Sequence, residues 1–324
     1  MVLAVTLAVV LLVVLVAGGI LMTRSNNPQQ TTTTTQGSGQ QQGQIQNQQD
    51  GNYKNDGYTV PDPNLHPPGL PMPTTYTEAT TWTQNNPFYS QPVPVPVRCE
   101  MPDVNPSTAS KADVQTYLNG IVECLMRVWA PELKAAGFNA SRPSVTIYTG
   151  TMQTACGKMT SGNAGYCSSD QQVYYSSDLP MLFPNQSGDP FMPMSVIAHE
   201  FGHAIQAQSG ILYGEMAWQQ RYLDDKDQAT SDQMSRRAEM QADCFAGEFM
   251  HAVQQSSGIS DQEMTTIKSL FYGMGDDQLS GGKVTEGDHG LGKNRQAWFT
   301  TGLTGTTAGV CNTFDPSIPD SKLQ

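Results

Sequence analysis

The run Ser195-Val196-Ile197-Ala198-His199-Glu200-Phe201-Gly202-His203 sets two histidines four residues apart inside an apolar, helix-compatible segment. Positions i and i+4 share one face of a helix, so His199 and His203 would point the same way. Two imidazoles at that spacing can ligate one zinc ion, and Glu200, beside the first, can reach a metal-activated water as general base. A catalytic zinc site usually takes a third protein ligand and keeps one position open. Of the other histidines, His66 lies in a segment poor in core-forming residues, while His251 and His289 remain candidates. Glu239 is the stronger candidate, because a carboxylate on a second helix can pack against the first and close the site. Asp243, one turn further on, would then hydrogen-bond a ligand imidazole and fix its tautomer.

Outward from this motif, the composition divides the chain into three parts. Val2 to Met22 is an almost unbroken apolar run. At about 1.5 Å per residue in a helix, such a run spans the hydrocarbon core of a bilayer. Residues 1–24 therefore read as a transmembrane signal anchor, with a cleaved signal peptide as the alternative. Residues 25–98 are rich in Gln, Thr, Asn, Gly and Pro, which predicts a disordered linker reaching on the order of 50 Å. Residues 99–324 carry all six cysteines and nearly all of the net charge of −12. An acidic domain repels phosphate backbones, so nucleic acid is excluded as a partner.

Within 99–324 the patterning predicts an α+β domain. Val114, Leu118, Ile121, Leu125 and Val128 recur at helical spacing behind a Ser110 cap, giving a helix over about 110–129, with a continuation from Pro131 to a stop at Gly137 as the longer reading. Residues 144–149 and 172–176 are β-branched and alternating, and read as strands. The second of these is expected to offer an edge to an extended substrate. The motif helix should run from about Pro193 to Gln208. Further helices are expected over 229–255, carrying Glu239 and Asp243, then over 260–273 and 294–301.

At this point several separated blocks fall into one order: the motif above, Glu239-Met240-Gln241-Ala242-Asp243-Cys244-Phe245-Ala246-Gly247, Gly275-Asp276-Asp277, His289-Gly290 and Trp298-Phe299. Ala155-Cys156-Gly157 and Tyr166-Cys167-Ser168-Ser169-Asp170 precede them. Over about 99–315 the chain resembles the bacterial putative neutral zinc metallopeptidases, which are membrane-tethered. The resemblance implies a mainly helical, zincin-like (minimal gluzincin) domain with a small β-sheet, and Glu239 as third ligand. One departure is local: the family's His-Gly-Ser/Thr-Ser is His289-Gly290-Leu291-Gly292 here.

The expected function is therefore an extracytoplasmic zinc peptidase, tethered to the membrane by its N-terminal helix, with a peptide or protein substrate. Glu200 would move the proton, and His289, Tyr213 or Arg295 would supply an oxyanion donor. A zinc-binding scaffold without turnover and a zinc amidase acting on cell-wall peptides are the alternatives. Six cysteines behind an export signal suggest disulfides, for which fifteen connectivities exist. The expected set is Cys99–Cys124, Cys156–Cys167 and Cys244–Cys311, with Cys244 as a metal ligand the rival reading.

Overall fold

The apolar spacing that begins behind Ser110 becomes helix α2, Lys111–Ala135, in a computed structural model that describes residues 52–284 and 287–324. Ser110 Oγ accepts the Asp113 N–H at 3.2 Å and caps it. The helix runs on through Pro131, as the longer reading has it, and ends at Ala135. A proline deletes the N–H that would bond the carbonyl four residues back. That carbonyl, Arg127 O, instead accepts from Asn55 Nδ2 at 3.0 Å, so a side chain from outside the helix fills the gap.

Five short strands follow: β1 (Val145–Tyr148), β2 (Met152–Thr154), β3 (Gly157–Met159), β4 (Ala164–Cys167) and β5 (Gln172–Ser176). The main sheet has the order β1-β5-β4, with β1 parallel and β4 antiparallel to β5, while β2 and β3 form a separate hairpin. Alternation assigns the faces. Val173 and Tyr175 enter the main core, whereas Tyr174 packs with Tyr148 and Cys167 on the face lined by Met152 and Met159 of the hairpin. The expectation that β5 offers an edge is overturned, because β5 is paired on both sides. Of the two outer strands, β4 is the one that touches the motif helix through Glu200.

The remaining elements are helical: α3 (Phe191–Gln208), α4 (Ile211–Asp224), α5 (Gln228–Val253), α6 (Asp261–Gly273), α7 (Asp276–Leu279) and α8 (Gly292–Gly302). The described part is thus mainly helical with small sheets, an α+β fold. Helix α4 was not legible in the sequence. It starts after Gly210, whose φ of +80° lets the chain reverse out of α3.

Residues 52–98 do not continue the disordered linker expected over 25–98. They lie along the domain and include α1 (Tyr76–Gln84), which packs on α4 where Gly214 allows close approach: a Cβ there would sit 2.8 Å from Ala79 O. Val97 N donates to Ala252 O at 2.7 Å, and Asn86 Nδ2 donates to Ser209 O at 2.9 Å. The segment's few apolar residues are the ones that anchor it, with Phe88 and Val97 fully buried. The expectations for 1–51, the membrane-spanning run and the Gln-rich stretch, lie outside the described residues. Among the described residues no helix is long and apolar enough to cross a membrane.

Two close approaches lock α5 in place. On one side a Cβ at Gly202 of α3 would lie 2.8 Å from Ala242 Cα, so the helices meet backbone to backbone. On the other, Gly247 of α5 and Gly302 of α8 sit against the facing backbone at Phe299 O and Cys244 O. The cysteines pair as Cys99–Cys124, Cys156–Cys167 and Cys244–Cys311, and the last ties α5 to the C-terminal segment. With Cys244 in a disulfide, it is not available as a metal ligand.

The close approach at Gly202 makes Gly202→Ala an overpacking substitution. It should cost about 1–3 kcal/mol in chemical denaturation and weaken metal retention, because it drives α3 and α5 apart. Glu248 on α5 gives a second prediction. It is fully buried and neither carboxylate oxygen has a hydrogen-bond partner among the described residues, so burial drives its pKa well above the usual carboxylate range. The folded state then keeps a proton that the unfolded state releases above about pH 4.5, and stability falls as pH rises. Glu248→Gln should remove this slope. Its stability relative to wild type should rise by up to about 1.4 kcal/mol per pH unit from pH 5 upward, until the folded carboxyl itself ionises. Denaturation midpoints measured from pH 4 to 9 check it.

Candidate metal centre

The packing of α3 on α5 brings three side chains to one point. His199 and His203 project from successive turns of α3, with ring centroids 4.9 Å apart. Glu239, one turn before Ala242 on α5, faces both: Oε2 is 3.2 Å from His199 Nε2 and Oε1 is 3.3 Å from His203 Nε2. One ligand atom from each residue lies within 4.8 Å of the others. His199 is buried, while His203 and Glu239 keep part of their surface exposed, so the cluster is open on one side.

The groups behind the imidazoles decide what the cluster can hold. Asp243 Oδ1 lies 2.8 Å from His199 Nδ1, and an ionised carboxylate can only accept, so Nδ1 carries the hydrogen. Gln206 Oε1 lies 2.8 Å from His203 Nδ1. The amide nitrogen of Gln206 donates to Ala238 O and to Gln241 Oε1, which leaves its oxygen for the imidazole. Both Nε2 atoms therefore converge with a carboxylate, and with the imidazoles neutral the three groups turn lone pairs toward one point where a cation would sit. Two imidazoles and one carboxylate form a ligand set typical of catalytic zinc, and the residues fit that ion.

Arg295 of α8 stands neither as an exposed helix charge nor as a group facing the open side. It is 4 % exposed, and Nε and Nη2 each donate to Asp243 at 2.8 Å, while Nη1 donates to Met274 O at 3.1 Å. Nη2 is also 3.7 Å from Glu239 Oε2. Burial works against the ionised form of Asp243, but Arg295 and His199 hold its pKa below the ordinary value. Burial likewise opposes a charge on His199, and the Asp243 and Glu239 carboxylates more than offset it, raising that pKa to about 9.

Glu200 is buried beside His199, and its Oε2 accepts the Tyr166 N–H of β4 at 2.9 Å. His289 lies on the loop before α8. Its Nδ1 is 3.0 Å from Asp288 and 3.3 Å from Asp276, and Asp276 Oδ2 also takes the backbone N–H groups of His289 and Gly290. Its side chain is about half exposed; what burial it has works against the charge, yet Asp276, Asp288 and Glu239 raise its pKa well above that of a free histidine. Tyr213, in the first turn of α4, is half-buried and lies within electrostatic reach of Tyr166. His66 and His251 take no part in the cluster.

Sequence reasoning missed Glu215. It is 3 % exposed on α4, and its pKa is raised to about 8 by burial and then by Glu239. Only the placement of α4 reveals it. The role of Arg295 was also hidden, since an arginine in a polar helix carries no mark of its buried partner.

Comparison with known proteins agrees with this geometry. The family model described as putative neutral zinc metallopeptidase matches residues 97–314. The uncharacterized protein YpfJ of Escherichia coli K12 is 31 % identical over 198 residues, which are 59 % of this chain and 68 % of that protein. The uncharacterized protein Rv2575 of Mycobacterium tuberculosis is 30 % identical over 208 residues, 58 % of this chain and 66 % of that one. No solved structure matches. With a family model covering most of its length and its motif residues drawn to one point, the chain belongs to the putative neutral zinc metallopeptidase family.

Proposed function

We propose that this protein is a zinc-dependent endopeptidase with a gluzincin-like site, in which His199, His203 and Glu239 hold the ion and Glu200 is the general base. The observation that carries the reading is the convergence of two tautomer-fixed imidazoles and one carboxylate beside a second, separately anchored carboxylate. When bound, zinc supplies Lewis acidity toward water and toward the scissile carbonyl. The chain's own groups do the rest. Glu200, oriented by the Tyr166 N–H, takes the proton of the attacking water and passes it to the leaving amine. Asp243 and Gln206 keep both imidazoles in the ligating tautomer. His289, held by Asp276 and Asp288 on the neighbouring loop, is the donor best placed by charge to steady an oxyanion, since Arg295 is committed to Asp243.

The same reading places the domain outside the cytoplasm. The apolar run Val2 to Met22 supports a membrane anchor, and three disulfides support an oxidising compartment.

Purified wild type and Glu200→Gln should each retain about one zinc per chain. Wild type should cleave a mixed peptide library in a chelator-sensitive manner, and Glu200→Gln should be slower by about 10²–10⁴-fold. A zinc-loaded Glu200→Gln protein that cuts at the wild-type rate would refute the mechanism. Release of cell-wall peptides by wild type, with no cleavage of the library, would move the assignment to an amidase.

A further inference from the structure

The support behind His203 does not end at Gln206. A chain of hydrogen bonds runs on from it to Tyr89, in the 3-10 turn Pro87–Ser90, which lies ahead of the family match beginning at residue 97. Gln206 Oε1 lies 2.8 Å from His203 Nδ1, and Gln206 Nε2 donates to Gln241 Oε1 at 3.1 Å. Gln241 Nε2 donates to the Tyr89 hydroxyl at 2.8 Å and to Cys311 O at 3.0 Å. The Tyr89 hydroxyl donates to Thr83 O at 2.8 Å. Both glutamines are fully buried. The turn itself is fastened at both ligand-bearing helices. Asn86 Nδ2 donates to Ser209 O just after α3, and Phe88 packs edge-on against Phe245 of α5 with ring centroids 5.7 Å apart.

Backbone carbonyls set the direction of this chain. Thr83 O can only accept, so it takes the Tyr89 hydrogen and leaves a hydroxyl lone pair for Gln241. Burial, only partly offset by Gln241, holds the Tyr89 pKa above its ordinary value, so that hydrogen is retained. Cys311 O also can only accept, which turns the Gln241 nitrogen toward Tyr89 and its oxygen toward Gln206. Ala238 O takes the other hydrogen of the Gln206 nitrogen at 2.8 Å, and Gln206 presents its oxygen to His203. A glutamine amide reversed end for end fills nearly the same space, so packing alone does not select its orientation. Reversal would set an N–H against His203 Nδ1, move the imidazole hydrogen to Nε2 and take the ligating lone pair away from the site. His199 has the Asp243 carboxylate to prevent this, whereas His203 relies on the chain of amides.

We propose that Tyr89 is a positioning residue of the metal centre: through Gln241 and Gln206 it holds His203 in the ligating tautomer, which makes the segment ahead of the family match part of the site. This assignment rests on the zinc-binding part of the reading above and requires no particular substrate. Without the Tyr89 hydroxyl the Gln241 nitrogen keeps Cys311 O but loses its second partner, so the effect is graded rather than complete.

The test is the zinc affinity of the full-length protein, measured by competition with a chromogenic chelator. Gln206→Leu should weaken it by about 10–100-fold. Tyr89→Phe, which keeps the ring, should weaken it by about 2–10-fold, the worth of one hydrogen bond. Added to Gln206→Leu, Tyr89→Phe should have no further effect, because the chain is already cut. In zinc-loaded Tyr89→Phe the His203 Nδ1–H, followed by NMR, should exchange with solvent faster than in wild type. Asn55→Ala removes a contact of the same segment with α2, and it should lower the denaturation midpoint while leaving zinc affinity unchanged. A Tyr89→Phe protein with wild-type zinc affinity and proton exchange overturns the proposal. So does a loss of affinity that is as large in the Gln206→Leu background, or that Asn55→Ala matches, since loosened packing alone would give it. Where Gln206→Leu does not fold, the proton exchange in Tyr89→Phe decides. A wild type that binds no zinc overturns the metal-centre reading and this assignment with it, whereas a zinc-loaded protein that cuts no peptide overturns only the peptidase assignment.

Discussion

The site depends on how closely α3 and α5 approach. Gly202 stands between His199 and His203, and Ala242 stands between Glu239 and Asp243. Because the glycine has no side chain and the alanine only a methyl, the helices touch at their backbones. Side chains one turn to either side of the contact are then close enough to meet around a single ion. A larger residue at either position would push the helices apart and draw Glu239 away from the imidazoles. The opposite face of α5 is fixed in the same way, by Gly247 and Gly302 against α8 and by the Cys244–Cys311 bridge. The ligand-bearing helix is clamped from both sides, so Glu239 is held in place by the packing of α5 itself.

Burying charge at this crossing is costly, and ion pairs seldom repay it as stability. Asp243, Arg295 and His199 are all buried, and Glu239 nearly so. The arrangement makes sense as positioning. Asp243 joins His199 to Arg295, and Arg295 carries the connection to the Met274 carbonyl at the end of α6. One guanidinium thereby links α3, α5, α6 and α8 around the imidazole whose tautomer matters most. The Gln206 amide does the equivalent work for His203 without a charge, which suits a position nearer the open side.

Much of this was legible because it is periodic. The i, i+4 pairs on α3 and α5, the apolar stripe of α2 and the β-branched alternation of β1 and β5 are local patterns that their environments preserve. What was not legible is set by tertiary contact. Thr-rich α1 has weak helix propensity and forms because Gly214 admits it against α4. The ordering of 52–98 rests on a few buried residues such as Phe88 and Val97 in a composition that otherwise reads as solvated. What lets α2 run through Pro131 was hidden, because the repair by Asn55 comes from far away in the chain. The strand edge was misassigned for a similar reason, since sequence marks a strand but not its neighbours.

On the proposed reading, the corrected edge relates the base to the substrate. Tyr166 pairs with Val173 within the sheet, yet its N–H points outward to Glu200. The proposed general base is therefore held by an outer strand of the sheet. The position of β4 fixes that carboxylate, so a polypeptide laid along β4 would be aligned with it. The disulfide Cys156–Cys167, which joins the hairpin to the end of β4, restrains the strand and through it Glu200.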